Sequence, residues 1–125
     1  IAKEYVGDLD AAIEGAVVKS TAGGTFSSSA ELVLVRADVA DSFASSNTAF
    51  FDTISATAVI DAIGSASAAI GVNETRLFAV DDGTNSALFL FQSNNGDAAV
   101  TIDELYLLGV VTGQASLNAS DFLLF

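Results

Sequence analysis

The sequence predicts an α+β fold in which helices pack on a single mixed β-sheet, as in a two-layer αβ sandwich. Three observations lead to this prediction. The chain has 125 residues, of which 51% are hydrophobic, so its length fits one domain that can bury a core. Some apolar residues recur at helical spacing, whereas other short apolar runs are bounded by turn residues, as strands are. The predicted order includes a strand–helix–strand unit and a hairpin, which favours one mixed sheet with helices on it.

The N-terminal segment is predicted to be a helix that is followed by a loop. Apolar residues recur there at three- and four-residue steps, namely Val6, Leu9, Ile13, Ala16 and Val17. Lys19 suits the last turn of such a helix. Residues 20–30 are rich in Ser, Thr and Gly, which indicates a loop. We therefore expect residues 1–29 to form an N-terminal helical or assembly segment and residues 30–125 to form the α+β domain.

A buried strand and the longest helix are predicted next. Residues 31–37 form a nearly continuous apolar run, which is typical of a strand covered on both faces. The helix is predicted over residues 48–70, with apolar side chains along one side: Phe51, Ile54, Ala58, Ile60 and Ile63. Gly64 and the small residues after it are expected to loosen or end this helix before Gly71.

The C-terminal half is predicted to begin with a hairpin. Residues 75–80 and 87–92 form two strands around an Asp-, Gly- and Asn-rich turn, and residues 93–97 form a second turn. Residues 101–111 are either a helix, opened by Thr101 with Glu104 as its capping-box partner, or a strand.

Composition excludes several classes of function. The chain has no Cys and no His, so it lacks a thiol nucleophile, a triad base and the usual zinc ligands. Its net charge of −12 opposes binding to nucleic acid or anionic membranes, and no apolar run is long enough to span a bilayer. We expect no enzymatic activity. The acidity suits salt- or divalent-rich surroundings outside the cell, or it serves only to keep an apolar protein in solution.

The acidic turns are the candidate metal sites. Hard oxygen ligands of the kind that calcium prefers occur at Asp81, Asp82, Asn85, Asn95 and Asp97. Neither turn matches an EF-hand, because alignment on Gly96 places Ile102 where the bidentate Glu belongs. Such turns also form for purely conformational reasons. Calcium is therefore the candidate ligand, and a structural turn is the alternative.

The C-terminal half resembles a known family. The segments LFAVDDGTNSALFLF (77–91), NNGD (94–97) and IDELYLLGVVTG (102–113), then Leu117 and Asp121-Phe122, are similar to the bluetail-type C-terminal domains of type I secreted, repeats-in-toxin-related bacterial surface proteins. The resemblance covers about residues 30–125. It implies a C-terminal export signal, an acidic residue followed by apolar ones, at Asp121, Phe122, Leu123, Leu124 and Phe125. An ordinary terminal strand is the other interpretation of these residues.

The resemblance implies export through a type I secretion apparatus and a place outside the cell or at the bacterial surface. Because no catalytic constellation is present, we expect a non-enzymatic structural subunit that assembles with copies of itself into a filament, layer or matrix. The alternative is a calcium-responsive secretion or targeting domain of a larger secreted enzyme or adhesin.

Overall fold

The computed structural model describes residues 15–36 and 53–122. Eight elements of regular structure follow one another along these residues: β1 (Val17–Lys19), β2 (Thr25–Phe26), β3 (Leu32–Val35), α1 (Thr53–Ile63), β4 (Ser65–Ala66), β5 (Thr75–Asp81), β6 (Ser86–Gln92) and β7 (Leu105–Val111). Short 3₁₀ helices precede β7 at Ile102–Glu104 and follow it at Ala119–Asp121.

The fold is α+β and is built on a mixed five-stranded sheet. The strand order is β1-β3-β5-β6-β7, with β1, β3 and β5 parallel and with β6 antiparallel to both of its neighbours. A second, two-stranded parallel sheet joins β2 to β4. The sequence predicted one sheet only, because strands of two residues are too short to show a periodic pattern.

The main core lies between α1 and one face of the five-stranded sheet, here called the helix face. Buried residues of this core come from every part of the described chain: Phe26, Val33, Val35, Val59, Ile63, Phe78, Val80, Phe89 and Phe91. The Phe78 ring lies at its centre, edge-on to the rings of Phe26 and Phe91 at centroid distances of 5.2 and 5.9 Å. Edge-to-face geometry of this kind adds to the stabilisation from burial.

The opposite face of the sheet carries a smaller core. Leu32, Leu34, Leu77 and Ala79 of the two central parallel strands pack against Leu117, and Phe122 is partly buried beside them. Arg36 holds the covering segment in place, since its Nη2 donates hydrogen bonds to the Leu117 carbonyl oxygen at 2.6 Å and to Asn118 Oδ1 at 3.0 Å. The C-terminal segment therefore crosses the sheet on the side away from α1.

The prediction of a helix through Lys19 is wrong at its C-terminal end. Val17–Lys19 is strand β1, which pairs in parallel with Val33–Val35. Gly15, with φ +65°, stands just before this strand in a conformation that a helix interior does not use. Residues 6–14 of the predicted helix lie outside the described residues.

The helix predicted over residues 48–70 is confirmed over Thr53–Ile63. It ends at Gly64, whose φ of +77° is the left-handed conformation typical of a residue just past a helix. Residues 64–70 are not helical, as Ser65–Ala66 forms β4. Residues 48–52 lie outside the described residues.

The buried strand and the hairpin are confirmed as β3, β5 and β6. Both interpretations of residues 101–111 hold in part, because a 3₁₀ turn at Ile102–Glu104 leads directly into strand β7. The prediction of a terminal strand over residues 121–125 is wrong for the two of these residues that the structure describes. Asp121 belongs to the second 3₁₀ helix, and Phe122 belongs to no strand. Residues 123–125 lie outside the described part of the chain.

Candidate functional site

The two acidic turns lie at opposite ends of β6. Asp82 and Asn85 belong to the hairpin turn that leads into β6, with Asp81 at the end of β5 just before it, whereas Asn95 and Asp97 belong to the turn that follows β6. A strand of seven residues is about 20 Å long. The two groups of oxygen ligands therefore cannot share one calcium ion.

The carboxylate and amide oxygens of the first turn accept hydrogen bonds from backbone N–H groups. Asp82 Oδ1 accepts from the N–H groups of Thr84 at 2.9 Å and Asn85 at 2.6 Å. Asn85 Oδ1 accepts from the Gly113 N–H at 2.9 Å, which connects the hairpin turn to the end of β7. These are the bonds by which Asp and Asn stabilise turns.

The second turn is built in the same way. Asn95 Oδ1 accepts from the Asp97 N–H at 3.2 Å, and Asp97 Oδ1 accepts from the Ala99 N–H at 3.0 Å. Fully buried Glu104 lies beneath this turn, where its Oε2 accepts from the Asn94 N–H at 2.9 Å. Both turns thus have a structural role that needs no ion, and calcium binding stays a prediction.

No group of three or more acidic side chains gathers in the part of the chain that the structure describes. Asp81 is itself largely buried at the end of β5, opposite Ser86. A calcium ion at this turn would draw on backbone carbonyl oxygens and water in addition to the carboxylates, as calcium sites commonly do.

The predicted export signal begins in the second 3₁₀ helix. Asp121 Oδ2 accepts a hydrogen bond from the Asn118 N–H at 2.8 Å, and Phe122 packs on the core of the opposite face. Leu123, Leu124 and Phe125 lie outside the described residues. A role for this segment in secretion stays a prediction.

The outer edge of β7 is a surface that sequence reasoning missed. β7 ends the sheet, and no strand within residues 15–36 and 53–122 pairs with its outer side. Its seven residues, LYLLGVV, include no charged side chain, yet Tyr106 is 51% exposed and Leu108 is 48% exposed. An apolar edge strand is a template for pairing with another chain unless charge, proline, a β-bulge, very short length or a covering segment protects it.

A β-bulge lies in the middle of this edge strand. Leu88 of β6 is opposite Gly109, and Phe89 is opposite Leu107, so Leu108 is an extra residue with no partner in β6. Tyr106 is opposite Leu90, on the face away from α1. Because Leu105 and Leu107 point into the main core, Tyr106 and Leu108 are exposed together on the opposite face.

The other edge of the sheet is β1, which is shorter and carries a charge. It has three residues, Val17–Lys19, of which Val18 is 50% exposed. The Lys19 ammonium group donates a hydrogen bond to the Gly23 carbonyl oxygen. A lysine on an edge strand is one of the features that discourage pairing with other chains.

One sequence signal could have identified the edge of β7. Tyr106, Val110 and Val111 have high β-propensity, and the apolar run from Leu105 to Val111 carries no charge, which together are typical of a pairing-prone strand. Its place at the edge of the sheet is set by strand order, which the sequence pattern does not reveal.

Comparisons of the chain with protein-family models, with curated proteins and with solved structures found no match. Among the described residues, no helix is both long enough and apolar enough to cross a membrane.

Proposed function

We propose that this chain is a non-enzymatic extracellular structural subunit that assembles with copies of itself into a filament, layer or matrix at a bacterial surface. The observation that carries the proposal is the sheet, which ends on both sides in strands with exposed apolar side chains and no partner among the described residues. A sheet whose edge strands lack partners among the described residues can be extended at β7, and an additional contact made by the N-terminal segment at the β1 edge would produce an open polymer.

The proposed subunit is a two-layer αβ sandwich, with α1 as one layer and the sheet as the other. In this arrangement the helix covers a face of the sheet, and neither edge has a partner strand among residues 15–36 and 53–122. β1 belongs to the N-terminal segment proposed to mediate assembly, residues 1–29, and it forms the edge opposite β7. Assembly would therefore use the N-terminal segment at one edge and β7 at the other.

Export by a type I secretion apparatus is part of the same proposal. Its support is the resemblance of residues 30–125 to bluetail-type domains and the acidic–apolar order of residues 121–125. A net charge of −12 agrees with surroundings rich in salt, where mobile ions screen the repulsion between subunits.

The test is the mass of the purified chain by light scattering, first in millimolar calcium and then in chelator. We expect a mass far above the 12.7 kDa of one chain in at least one of these buffers. A mass that falls in chelator would assign calcium a part in assembly. Monomers in both buffers, at low and at high salt, would refute the structural proposal.

The alternative function is a calcium-responsive secretion or targeting domain of a larger secreted enzyme or adhesin. The observation that favours it is the proximity in sequence of three oxygen-bearing side chains: Asp81 at the end of β5, then Asp82 and Asn85 in the turn that follows. Such a domain would stay monomeric, and calcium would raise its melting temperature. Residues 30–125, fused to the C-terminus of a passenger protein, would also be sufficient for export by a type I system, whereas the passenger alone would stay inside the cell.

A further inference from the structure

We propose that two copies of this chain join through β7, in antiparallel orientation about a two-fold axis, so that two five-stranded sheets become one continuous sheet. This inference rests on the proposed self-assembly and names the contact that begins it. The strand that pairs with β7 is β7 of the second copy. Three features of β7 favour this partner: its outward-pointing backbone groups, its lack of charge and its length.

The backbone of β7 requires a strand as its partner. Among residues 15–36 and 53–122, β7 is hydrogen-bonded to β6 on one side only, so about half of its N–H and C=O groups point outward. Another strand satisfies these donors and acceptors on either side of the bulge. The exposed Tyr106 and Leu108 side chains add apolar surface to the same edge.

Charge favours a second copy in antiparallel orientation. Each chain carries −12, so two copies repel each other wherever their acidic surfaces meet, and β7 offers seven consecutive uncharged residues for contact. Asp103 lies just before β7, and uncharged Thr112 and Gly113 lie just after it. Antiparallel pairing puts Asp103 beside the uncharged end of the second β7, whereas parallel pairing would put two Asp103 side chains next to each other.

β1 is too short to be a better partner for β7 than a second β7 is. β1 offers three residues against the seven of β7, and one of the three is Lys19. A β1–β7 contact that keeps α1 of both copies on the same side of the sheet would also be parallel, which is less stable per residue than antiparallel pairing. Of the two edge strands, only β7 of a second copy equals β7 in length and in lack of charge.

The bulge sets the register of the pair. An axis through Leu107 places Tyr106 opposite Leu108 of the second copy, so that the two half-exposed side chains meet on one face. This register also places Leu105, of the helix face, opposite Gly109, which is paired with Leu88 of the opposite face, but glycine has no side chain to misplace there. An axis through Leu108 would instead place Tyr106 opposite Val110, whose side chain points to the other face because it is paired with Ala87. An axis through Tyr106 would place Leu108 opposite Glu104, whose carboxylate is buried. The axis through Leu107 is therefore the register that we propose.

The first test compares two lysine substitutions by sedimentation equilibrium. Leu108→Lys places a charge on the proposed contact, whereas Val72→Lys makes the same change of net charge at a 56% exposed apolar side chain in the turn before β5. We expect Leu108→Lys to weaken association at least tenfold and Val72→Lys to leave it unchanged. Circular dichroism of both variants establishes that each is folded.

The second test uses thiol cross-linking, which is unambiguous because the chain has no Cys. Opposite residues of an antiparallel pair have Cβ atoms about 4.5–5.5 Å apart, within reach of a short bis-thiol reagent. A mixture of Tyr106→Cys and Leu108→Cys chains should cross-link more than either variant alone, and Leu107→Cys should cross-link with itself. Val72→Cys is the control that should not.

The outcomes separate this inference from the proposed function. If the wild-type chain is monomeric under all conditions, both fail. If the wild type assembles but Leu108→Lys assembles equally well and no β7 thiol cross-links, the β7 contact is refuted and the structural function stands. If Tyr106→Cys alone cross-links better than the mixture, the proposed register is wrong. Loss of association in Leu108→Lys together with the mixed cross-link supports the inference in full.

Discussion

Glu104 is a buried carboxylate whose hydrogen bonds hold together the turn before β7 and the turn after β6. Its Oε1 accepts from the Thr101 N–H and from the Thr101 hydroxyl, both at 3.0 Å, and its Oε2 accepts from the Asn94 N–H at 2.9 Å. The side chain is fully buried, so water cannot replace these bonds. Substitution of Glu104 should therefore cost far more than the loss of an exposed acidic residue.

Glu104→Gln keeps the shape of the side chain and changes one oxygen into an NH₂ group. If the remaining oxygen faces Thr101, the new NH₂ group faces the Asn94 N–H, and two donors oppose each other. A hydrogen bond to a charged group contributes about 1.5–3 kcal/mol, and the two bonds that survive lose their charge. We expect the free energy of unfolding to fall by about 2–3 kcal/mol, because removal of the buried charge offsets part of the loss.

The assay is urea denaturation followed by circular dichroism, with Asp103→Asn as the matched control. Asp103 is the exposed neighbour of Glu104, and both substitutions remove one negative charge from a chain of net charge −12. Relief of general repulsion is therefore the same in both variants. The midpoint of Glu104→Gln should fall by about 1–2 M urea, and that of Asp103→Asn should hardly move. Equal midpoints for the two variants would refute the reasoning.

Three further predictions concern the core and the turns. Phe78→Ala should lower the free energy of unfolding by about 3–5 kcal/mol in the same assay, because it removes a buried ring that contacts two other rings. A loss below about 1 kcal/mol would contradict the described core. Gly64→Ala should lower the melting temperature more than Gly24→Ala does. Both glycines have positive φ, but of the two only Gly64 has a backbone carbonyl oxygen so close that an added Cβ would overlap it. Equal losses in melting temperature would contradict that overlap. Ser93→Ala should lower the free energy of unfolding by about 1–3 kcal/mol and speed hydrogen exchange at the Gly96 amide. The reason is that the buried Ser93 hydroxyl accepts a hydrogen bond from that amide at 3.1 Å. Unchanged exchange would refute the contact.

Local patterns in the sequence were sufficient to predict the strands at the centre of the sheet. β3 is a short run of buried residues on both faces, and the hairpin of β5 and β6 surrounds a turn rich in Asp, Asn and Gly. In each case the information lies within a few consecutive residues, namely apolar runs interrupted by residues that adopt turns. Gly64 was expected to loosen or end the helix before Gly71, and α1 ends just before Gly64, but the helix predicted through residue 70 is wrong over residues 64–70.

The edges of the sheet could not be predicted in this way. Val17 lies at helical spacing from earlier apolar residues, yet it forms a strand because it pairs with Val33 sixteen positions further along the chain. The place of β7 as the last strand of the sheet is a property of strand order. Such non-local pairings leave no periodic signal in a window of a few residues. The candidate assembly surface was missed for this reason, whereas the calcium turns and the export signal stay predictions.

The distribution of acidic groups connects the fold to the proposed assembly. Several carboxylates in the described chain accept hydrogen bonds from backbone N–H groups in turns: Glu74, Asp82, Asp97, Glu104 and Asp121. Carboxylates at these places stabilise the turns, and they also surround the sheet with negative charge that keeps copies apart. β7 interrupts this charge with seven uncharged residues at the edge of the sheet. Copies that repel each other elsewhere can approach at this edge, so salt should strengthen association and an added lysine at Leu108 should weaken it even though it lowers the net charge.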